Sequence, residues 1–176
     1  MNEAFQKQSR FLSFILRHRP EAAGLKLDRD GWAEIAEIIA NTDITVDILY
    51  EIVRTDSKGR YSLDDGLTKI RANQGHSLNM VNLKFKQAVP PTVLFHGTGS
   101  HAVAEILKHG LMPMARHYVH LSKDLETAIG VGSRRKQGFT ILKIDAAKML
   151  ADGLKFFVSD NGVWLIKAVP PKYIST

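Results

Sequence analysis

The sequence predicts an α+β protein in two unlike halves, and three observations carry that reading. Apolar residues recur at helical spacing in three short stretches between residues 4 and 54. Two strand-like runs then bracket an Asp-Gly pair at residues 60–71, a hairpin signal. Beyond Ala88-Val89-Pro90-Pro91-Thr92, stiffened by its two prolines, the pattern turns to strands. The expected organisation is a first lobe at 1–87, a linker at 88–92 and a second lobe at 93–176.

Taken in order, residues 4–18 form an amphipathic helix with Phe5, Leu12, Ile15 and Leu16 on one side. Pro20 disfavours helix at Arg19 and ends it. Asp28-Arg29-Asp30-Gly31 marks a turn. From Trp32 to Ala40 the spacing of Trp32, Ile35, Ala36 and Ile39 predicts a second helix. Thr45 can cap a third, whose Ile48, Leu49, Ile52 and Val53 make one stripe. Residues 60–63 and 67–71 are the two strands of the hairpin, joined at Asp64-Asp65-Gly66. Three short helices and a hairpin suggest a winged helix. Its third helix carries Asp47, Glu51 and only Arg54, a poor composition for entering a major groove, so sequence-specific reading of a duplex is not expected.

In the second half, Val93-Leu94-Phe95 is a buried-looking strand that ends at His96-Gly97-Thr98-Gly99. Ser100 can cap a helix to His109, which Gly110 ends. Residues 118–121 alternate as a strand, with Tyr118 and His120 on one face and Val119 and Leu121 on the other. Ser122 can cap a helix reaching about residue 131, and residues 130–138 read as a flexible basic loop. Residues 139–144 form another strand. A second hairpin joins 156–159 to 163–166 through Asp160-Asn161-Gly162.

The whole chain narrows the function classes. At 176 residues with 44% apolar and 24% charged residues it is ordinary for a soluble globular protein. No run of 18 apolar residues is present, so no membrane span is expected, and the N-terminus lacks a signal-peptide core. With no cysteine there are no disulfides or thiolate metal sites, and a cytoplasmic location follows as the expectation. The net charge of +6 suits a polyanionic partner. It is uneven: residues 1–90 hold 13 Lys/Arg against 12 Asp/Glu, residues 91–176 hold 11 against 6. Cations of the first half must therefore act by placement.

Several residues could carry chemistry. Arg17 and His18 ride on the last turn of a packed helix, where charge-assisted donors to a phosphate have little entropy left to lose. The plainer account is a helix end whose basic residues complement the macrodipole. If Ile70 is core, Arg71 faces outward; Gly75 and His76 follow in a turn-prone segment with few packing constraints. Arg116 precedes the strand that bears His120. His96 ends another strand beside Gly97, which allows close backbone approach by a ligand. Both histidines also read as satisfied core residues. No histidine spacing marks a metal site, and neither Gly-rich segment follows the Rossmann or Walker pattern.

Leu16-Arg17-His18-Arg19-Pro20, Ile70-Arg71-Ala72-Asn73-Gln74-Gly75-His76-Ser77, His96-Gly97-Thr98, the run from Gly110 to Ser122, and Asn161-Gly162-Val163-Trp164-Leu165 with Val169-Pro170-Pro171 together resemble the RNA 2′-phosphotransferases. The motifs stand in that family's order across residues 12–171. The resemblance implies a winged-helix RNA lobe followed by an ADP-ribosyltransferase-like β-sandwich lobe with short helices. It implies NAD as co-substrate, no metal, and an RNA bearing a 2′-phosphate as partner; a monomer is expected. By motif the catalytic set is Arg17, His18, Arg71 and Arg116. NAD would be held by His96, Gly97, Thr98, His120, Ser122, Arg134 and Val163. At the place of Val163 the mono-ADP-ribosyltransferases use a glutamate; a phosphate acceptor, with a second pKa of about 6, needs no such help. The chain departs from the family at Tyr118, where a histidine is usual, and at Arg134-Arg135, where Arg-His is often found.

The implied reaction has two steps. The RNA 2′-phosphate displaces nicotinamide from the ribose, with Arg71 and Arg116 aligning the phosphate. The ribose O2″ then takes the phosphoryl group, leaving RNA with a 2′-OH and ADP-ribose 1″,2″-cyclic phosphate. Arg17 would offset the growing charge and His18 would serve in acid–base or phosphate-orienting duty. Two alternatives differ in class: an ADP-ribosyltransferase acting on terminal nucleic-acid phosphates, and a non-catalytic RNA-binding module. A nuclease using His18 and His120 is the weakest.

Overall fold

The computed structural model describes residues 3–134 and 138–176. Helix and sheet are mixed throughout, and the chain divides into two units, Met1–Lys84 and Phe85–Thr176.

The first unit begins with α1 (Glu3–Arg17), whose Leu12, Ile15 and Leu16 are fully buried. Each of these side chains contributes roughly 1.5–3 kcal/mol by leaving water, so the C-terminal half of the helix is the fixed part. The chain then departs from the predicted second helix. Trp32–Glu34 is a strand, β1, and only Ile35–Asn41 is helical, as α2. The apolar spacing of this stretch suits a helix. Pairing with the later hairpin overrides it at Trp32–Glu34, because Trp32 stands opposite Arg71 and Ala33 opposite Ile70. The helix consequently buries Ile35 and Ile38, while Ile39 is exposed. α3 (Val46–Arg54) forms as the sequence indicates, with Thr45 Oγ1 accepting from Ile48 N at 3.3 Å.

β2 (Tyr61–Leu63) and β3 (Lys69–Ala72) are the predicted hairpin, but the connection is longer than the Asp-Gly pair. The Asp64 carboxylate accepts from the backbone N–H of both Thr68 and Lys69, and Leu67 takes a left-handed φ of 54°. The three strands lie in the order β1-β3-β2. One core joins them to α1, α2 and α3 through Leu16, Ile38, Leu49 and Ile70.

The second unit opens ahead of the Pro-Pro stretch, with β4 (Lys86–Gln87) paired to β8 (Phe157–Val158). Ala88 N donates to Phe156 O, and Ala147 N donates to Thr92 O, so both ends of residues 88–92 are bonded into this unit. β5 (Val93–Gly99) runs through the His96-Gly97-Thr98 segment rather than stopping before it. Its partner is β7 (Phe139–Asp145), which pairs with it antiparallel along its whole length. A 3-10 turn at Ser100–Ala102 precedes α4 (Val103–His109), and Gly110 ends the helix at φ 88°. The Ser100 side chain does not cap it; Oγ faces Thr140 Oγ1 at 3.1 Å.

β6 (Val119–Leu121) buries Val119 and Leu121, as its alternation indicates. The cap of α5 (Leu125–Gly132) is Asp124, not Ser122. Asp124 Oδ1 accepts from Thr127 N at 2.7 Å, whereas Ser122 exchanges both backbone hydrogen bonds with Phe95. Gly130 and Gly132, read as loop from their composition, are the last turn of α5. α6 (Ala146–Ala151), β9 (Trp164–Ile166) and β10 (Ile174–Ser175) complete the unit. Its two antiparallel sheets, β10-β7-β5 and β4-β8-β9-β6, share one core of Leu94, Leu121, Leu142, Phe156 and Ile166. Among the described residues no helix is long and apolar enough to cross a membrane.

Candidate functional site

In the first unit the end of α1 is clamped by a segment almost sixty residues later. Ser77 N donates to the Arg17 carbonyl at 3.0 Å, and Ser77 Oγ lies 3.0 Å from His18 Nδ1. Gly75 adopts φ 91°, and a side chain there would meet the Arg17 guanidinium within 3.6–3.8 Å. Arg17 is only 9% exposed, while His18 is half-buried with its ring 6.3 Å from that of Phe14. A rigid helix base thus carries Arg17 and His18 side by side, and the 75–77 segment fixes both. Arg19, by contrast, turns to Glu21 at 2.5 Å and stays exposed.

Arg71 lies on β3 between buried Ile70 and Ala72, so it faces away from the core. Its guanidinium sits over the Trp32 ring, 4.7 Å from the centroid. Trp32 is held in turn by the preceding bend, where Asp28 Oδ1 accepts from Asp30 N and from Trp32 N. The segment expected to be loosely packed is pinned: His76 is 4% exposed, and Gly31 at φ 77° comes close to its Nε2. Asn73, also buried, accepts from Ser62 Oγ and donates to Gly59 O. Arg17, His18 and Arg71 therefore project from one framework of α1, β3 and the loop that follows. Reading the sequence missed Ser77 and Trp32 as members. No alternation marks Trp32–Glu34 as a strand; only the turn just before it and the aromatic Trp32 hint at one.

Around Tyr61, burial pushes the phenol pKa up, opposed by a hydrogen bond to Ser13 and by the charges of Arg17 and Arg60. A different surface of this unit, a groove of about 460 Å³ between α3 and the β2–β3 turn, is lined by Asp47, Tyr50, Glu51, Val53, Arg54, Leu63 and Leu67. None of the candidate residues lines it, and its two carboxylates do not suit a phosphate.

Arg116 belongs to the second unit. It is exposed on the loop before β6, and its N–H donates to the Pro113 carbonyl, closing a turn in which Met114 has φ 56°. Tyr118, at the position where a histidine was expected from the resemblance, packs edge-on against Phe85 at 5.6 Å and Phe157 at 5.9 Å. The Lys167 ammonium sits 3.9 Å from its ring centre. This aromatic cluster is what the tyrosine supplies.

Of the residues proposed for a nucleotide, His96, His120 and Ser122 come together where β5 meets the end of β6. The Phe95–Ser122 bridge joins them, and His96 Nδ1 lies 3.0 Å from the His120 carbonyl oxygen. His120 pairs with Leu165 and Leu121 with Trp164, which carries the register on to Ser122 and Val163. Val163 is tied by Ser159, whose Oγ accepts from Val163 N. Thr98 is buried at 7% exposure. Gly97 is required by α5: a Cβ there would lie 2.5 Å from Ala128 O and 2.9 Å from Gly132 N. The close approach seen at Gly97 is thus that of a helix backbone. Arg134 is exposed just past α5, and Arg135 lies outside the described residues. The set holds two imidazoles, a buried hydroxyl and a guanidinium and no carboxylate, the kinds of group that can donate to anionic phosphates. Among the described residues no group of three His, Cys, Asp or Glu side chains is placed to hold a metal ion.

Comparison with known proteins gives the family. A family model described as "RNA 2'-phosphotransferase, Tpt1 / KptA family" matches residues 3–168. A protein of Fusobacterium nucleatum named "Probable RNA 2'-phosphotransferase" is 46% identical over 173 residues, covering 96% of each chain. One of the same name from Burkholderia pseudomallei is 47% identical over 96% of this chain and 93% of its own. A third, from Acaryochloris marina, is 45% identical over 98% and 97%. The family model spans both units, and the chain belongs to the RNA 2′-phosphotransferase family of transferases.

Proposed function

We propose that the chain removes an internal 2′-phosphate from RNA by transferring it to NAD. The observation that carries the reading is the clamp on Arg17 and His18, with Arg71 held over Trp32 beside it on the same framework. A solvated helix end that merely complements a macrodipole would need none of these contacts. The first unit is read as a winged-helix RNA lobe, supported by its helices and three-stranded antiparallel sheet. The second is read as an ADP-ribosyltransferase-like lobe, supported by two antiparallel sheets around one core.

NAD, when bound, supplies the ribose that accepts the phosphate and nicotinamide as leaving group. His96, Gly97, Thr98, His120, Ser122, Arg134 and Val163 would hold it. The RNA phosphate would first become ADP-ribosylated; RNA with a 2′-OH and ADP-ribose 1″,2″-cyclic phosphate would then be released. Arg71 would bind the RNA phosphate, each charge-assisted hydrogen bond giving about 1.5–3 kcal/mol, and Arg116 joins the catalytic set by motif. Arg17, immobilised at the end of α1, offsets the negative charge that grows on the phosphoryl oxygens as they transfer. His18 handles the proton at the RNA 2′-oxygen or orients the phosphate.

The test is incubation with a short RNA bearing one internal 2′-phosphate, with and without NAD, in excess chelator, the products resolved by mass. The expected result is 2′-OH RNA only when NAD is present, with one NAD consumed per phosphate. Dephosphorylation without NAD, or its loss on chelation, would refute the reading. Modification of a terminal phosphate while the internal one stays would favour the ADP-ribosyltransferase alternative.

A further inference from the structure

Ser77 has no part in the roles assigned above, yet it touches both residues at the end of α1. Its N–H donates to the Arg17 carbonyl and its Oγ reaches His18 Nδ1, each at 3.0 Å. The two residues before it, Gly75 closed against Arg17 and buried His76 packed near Gly31, restrain the Ser77 backbone.

We infer that Ser77 is a positioning residue for His18: its hydroxyl holds the ring by Nδ1 in both protonation states and so makes Nε2 the nitrogen that works on the phosphate. The inference rests on the reading that His18 acts on the RNA phosphate. It follows from what a hydroxyl can do. Serine Oγ both donates and accepts. Facing the neutral ring, Oγ–H donates to Nδ1, which leaves the ring's proton on Nε2. Facing the cation, Oγ accepts from Nδ1–H, and Nε2 again carries a proton. The hydrogen bond reverses direction while the ring stays in place, so no reorientation is needed when His18 gains or loses its proton. A carboxylate at this position would favour the cation by a full charge. The hydroxyl imposes no such bias, and because Nε2 carries a proton in either state it stays a hydrogen-bond donor to the phosphate, which is the phosphate-orienting duty of His18 rather than proton transfer.

The decisive variant is Ser77→Ala, because it keeps the backbone bond to Arg17 and removes only the Oγ contact. Release of 2′-OH RNA is expected to slow about 10–100-fold, the loss of one hydrogen bond to a charged group, with KM for NAD unchanged. Ser77→Thr, which keeps the hydroxyl, is expected to stay within about threefold of the parent rate. Nitrogen NMR of His18 in the parent protein is expected to show the neutral ring protonated at Nε2, with an Nδ1 signal that shifts in Ser77→Ala. Three results would each overturn the inference: parent-like turnover by Ser77→Ala, Ser77→Thr no better than Ser77→Ala, or a neutral parent ring protonated at Nδ1. His18→Ala separates the two levels. Full activity in that variant removes the underlying role of His18. An inactive His18→Ala beside a fully active Ser77→Ala removes only the role of Ser77.

Discussion

Alanine at position 97 would place its Cβ 2.5 Å from Ala128 O, 2.9 Å from Gly132 N and 3.0 Å from Gly132 Cα. All three are backbone atoms of α5, so no side chain can swing aside, and relief requires the helix to lift off β5 by about 1 Å over its last turn. Overpacking of this kind costs about 1–3 kcal/mol, and three backbone contacts put Gly97→Ala in the upper half of that range. In a unit of this size each kcal/mol moves the midpoint by about 4–8 °C, so thermal unfolding is expected to shift down by about 10 °C or more. Gly130→Ala on the same helix is the control. A Cβ there meets nothing within 4 Å, and replacing a helical glycine in open space is expected to stabilise by about 0.5–1 kcal/mol. Thermal unfolding followed by circular dichroism on the three proteins decides the matter. A Gly97→Ala variant that melts with the parent yet no longer binds NAD would refute the reasoning, and would return Gly97 to the role of admitting a ligand.

The stack of Arg71 on Trp32 is worth about 0.5–2 kcal/mol, so Trp32→Ala is expected to weaken binding of 2′-phosphorylated RNA about 3–30-fold and Trp32→Phe clearly less. Equal losses in both variants, measured by RNA titration, would show that the ring does not act through its face. Asp124 contributes a pH-dependent share of stability. The hydrogen bond from Thr127 N, followed by the Thr127 side chain, lowers its carboxyl pKa. That stabilisation is full above the unfolded value of about 3.9 and is lost as pH falls through the lower folded value. Asp124→Ala is expected to cost about 1 kcal/mol near neutrality and progressively less below pH 4 or so. Urea unfolding at pH 7 and pH 3 checks it, and a gap that does not narrow would contradict the assignment.

What the sequence made legible was whatever local periodicity governs. α1, α3, both hairpins and the inward Val119 and Leu121 follow from spacing and turn residues alone. Trp32–Glu34 did not, because its apolar spacing suits a helix and only pairing with Arg71, far along the chain, selects the strand. Ser100 and Ser122 looked like caps for the same reason: the hydroxyl is present at the right place, but one faces Thr140 and the other is committed to a bridge with Phe95. Arg17, His18 and Arg71 stood out as candidates from chemistry and motif, and the structure sets them on one framework. Ser77 and Trp32, which hold them, were not, since their importance lies in partners 59 and 39 residues away.

The contact between His18 and Ser77 spans 59 residues, more than half of the first unit. α1 can form by local hydrogen bonds in about a microsecond, but the clamp exists only after β3 has paired and the segment beyond it has come back to the helix. Closing so long a loop is entropically costly and comes late in a folding reaction governed by non-local contacts. Recovery of activity during refolding is therefore expected to lag behind recovery of helical signal, and partly folded chains would display the arginines without holding them. On the proposed function, the clamp would serve as an assembly check: a chain that has not finished folding would present positive charge to RNA without turning it over.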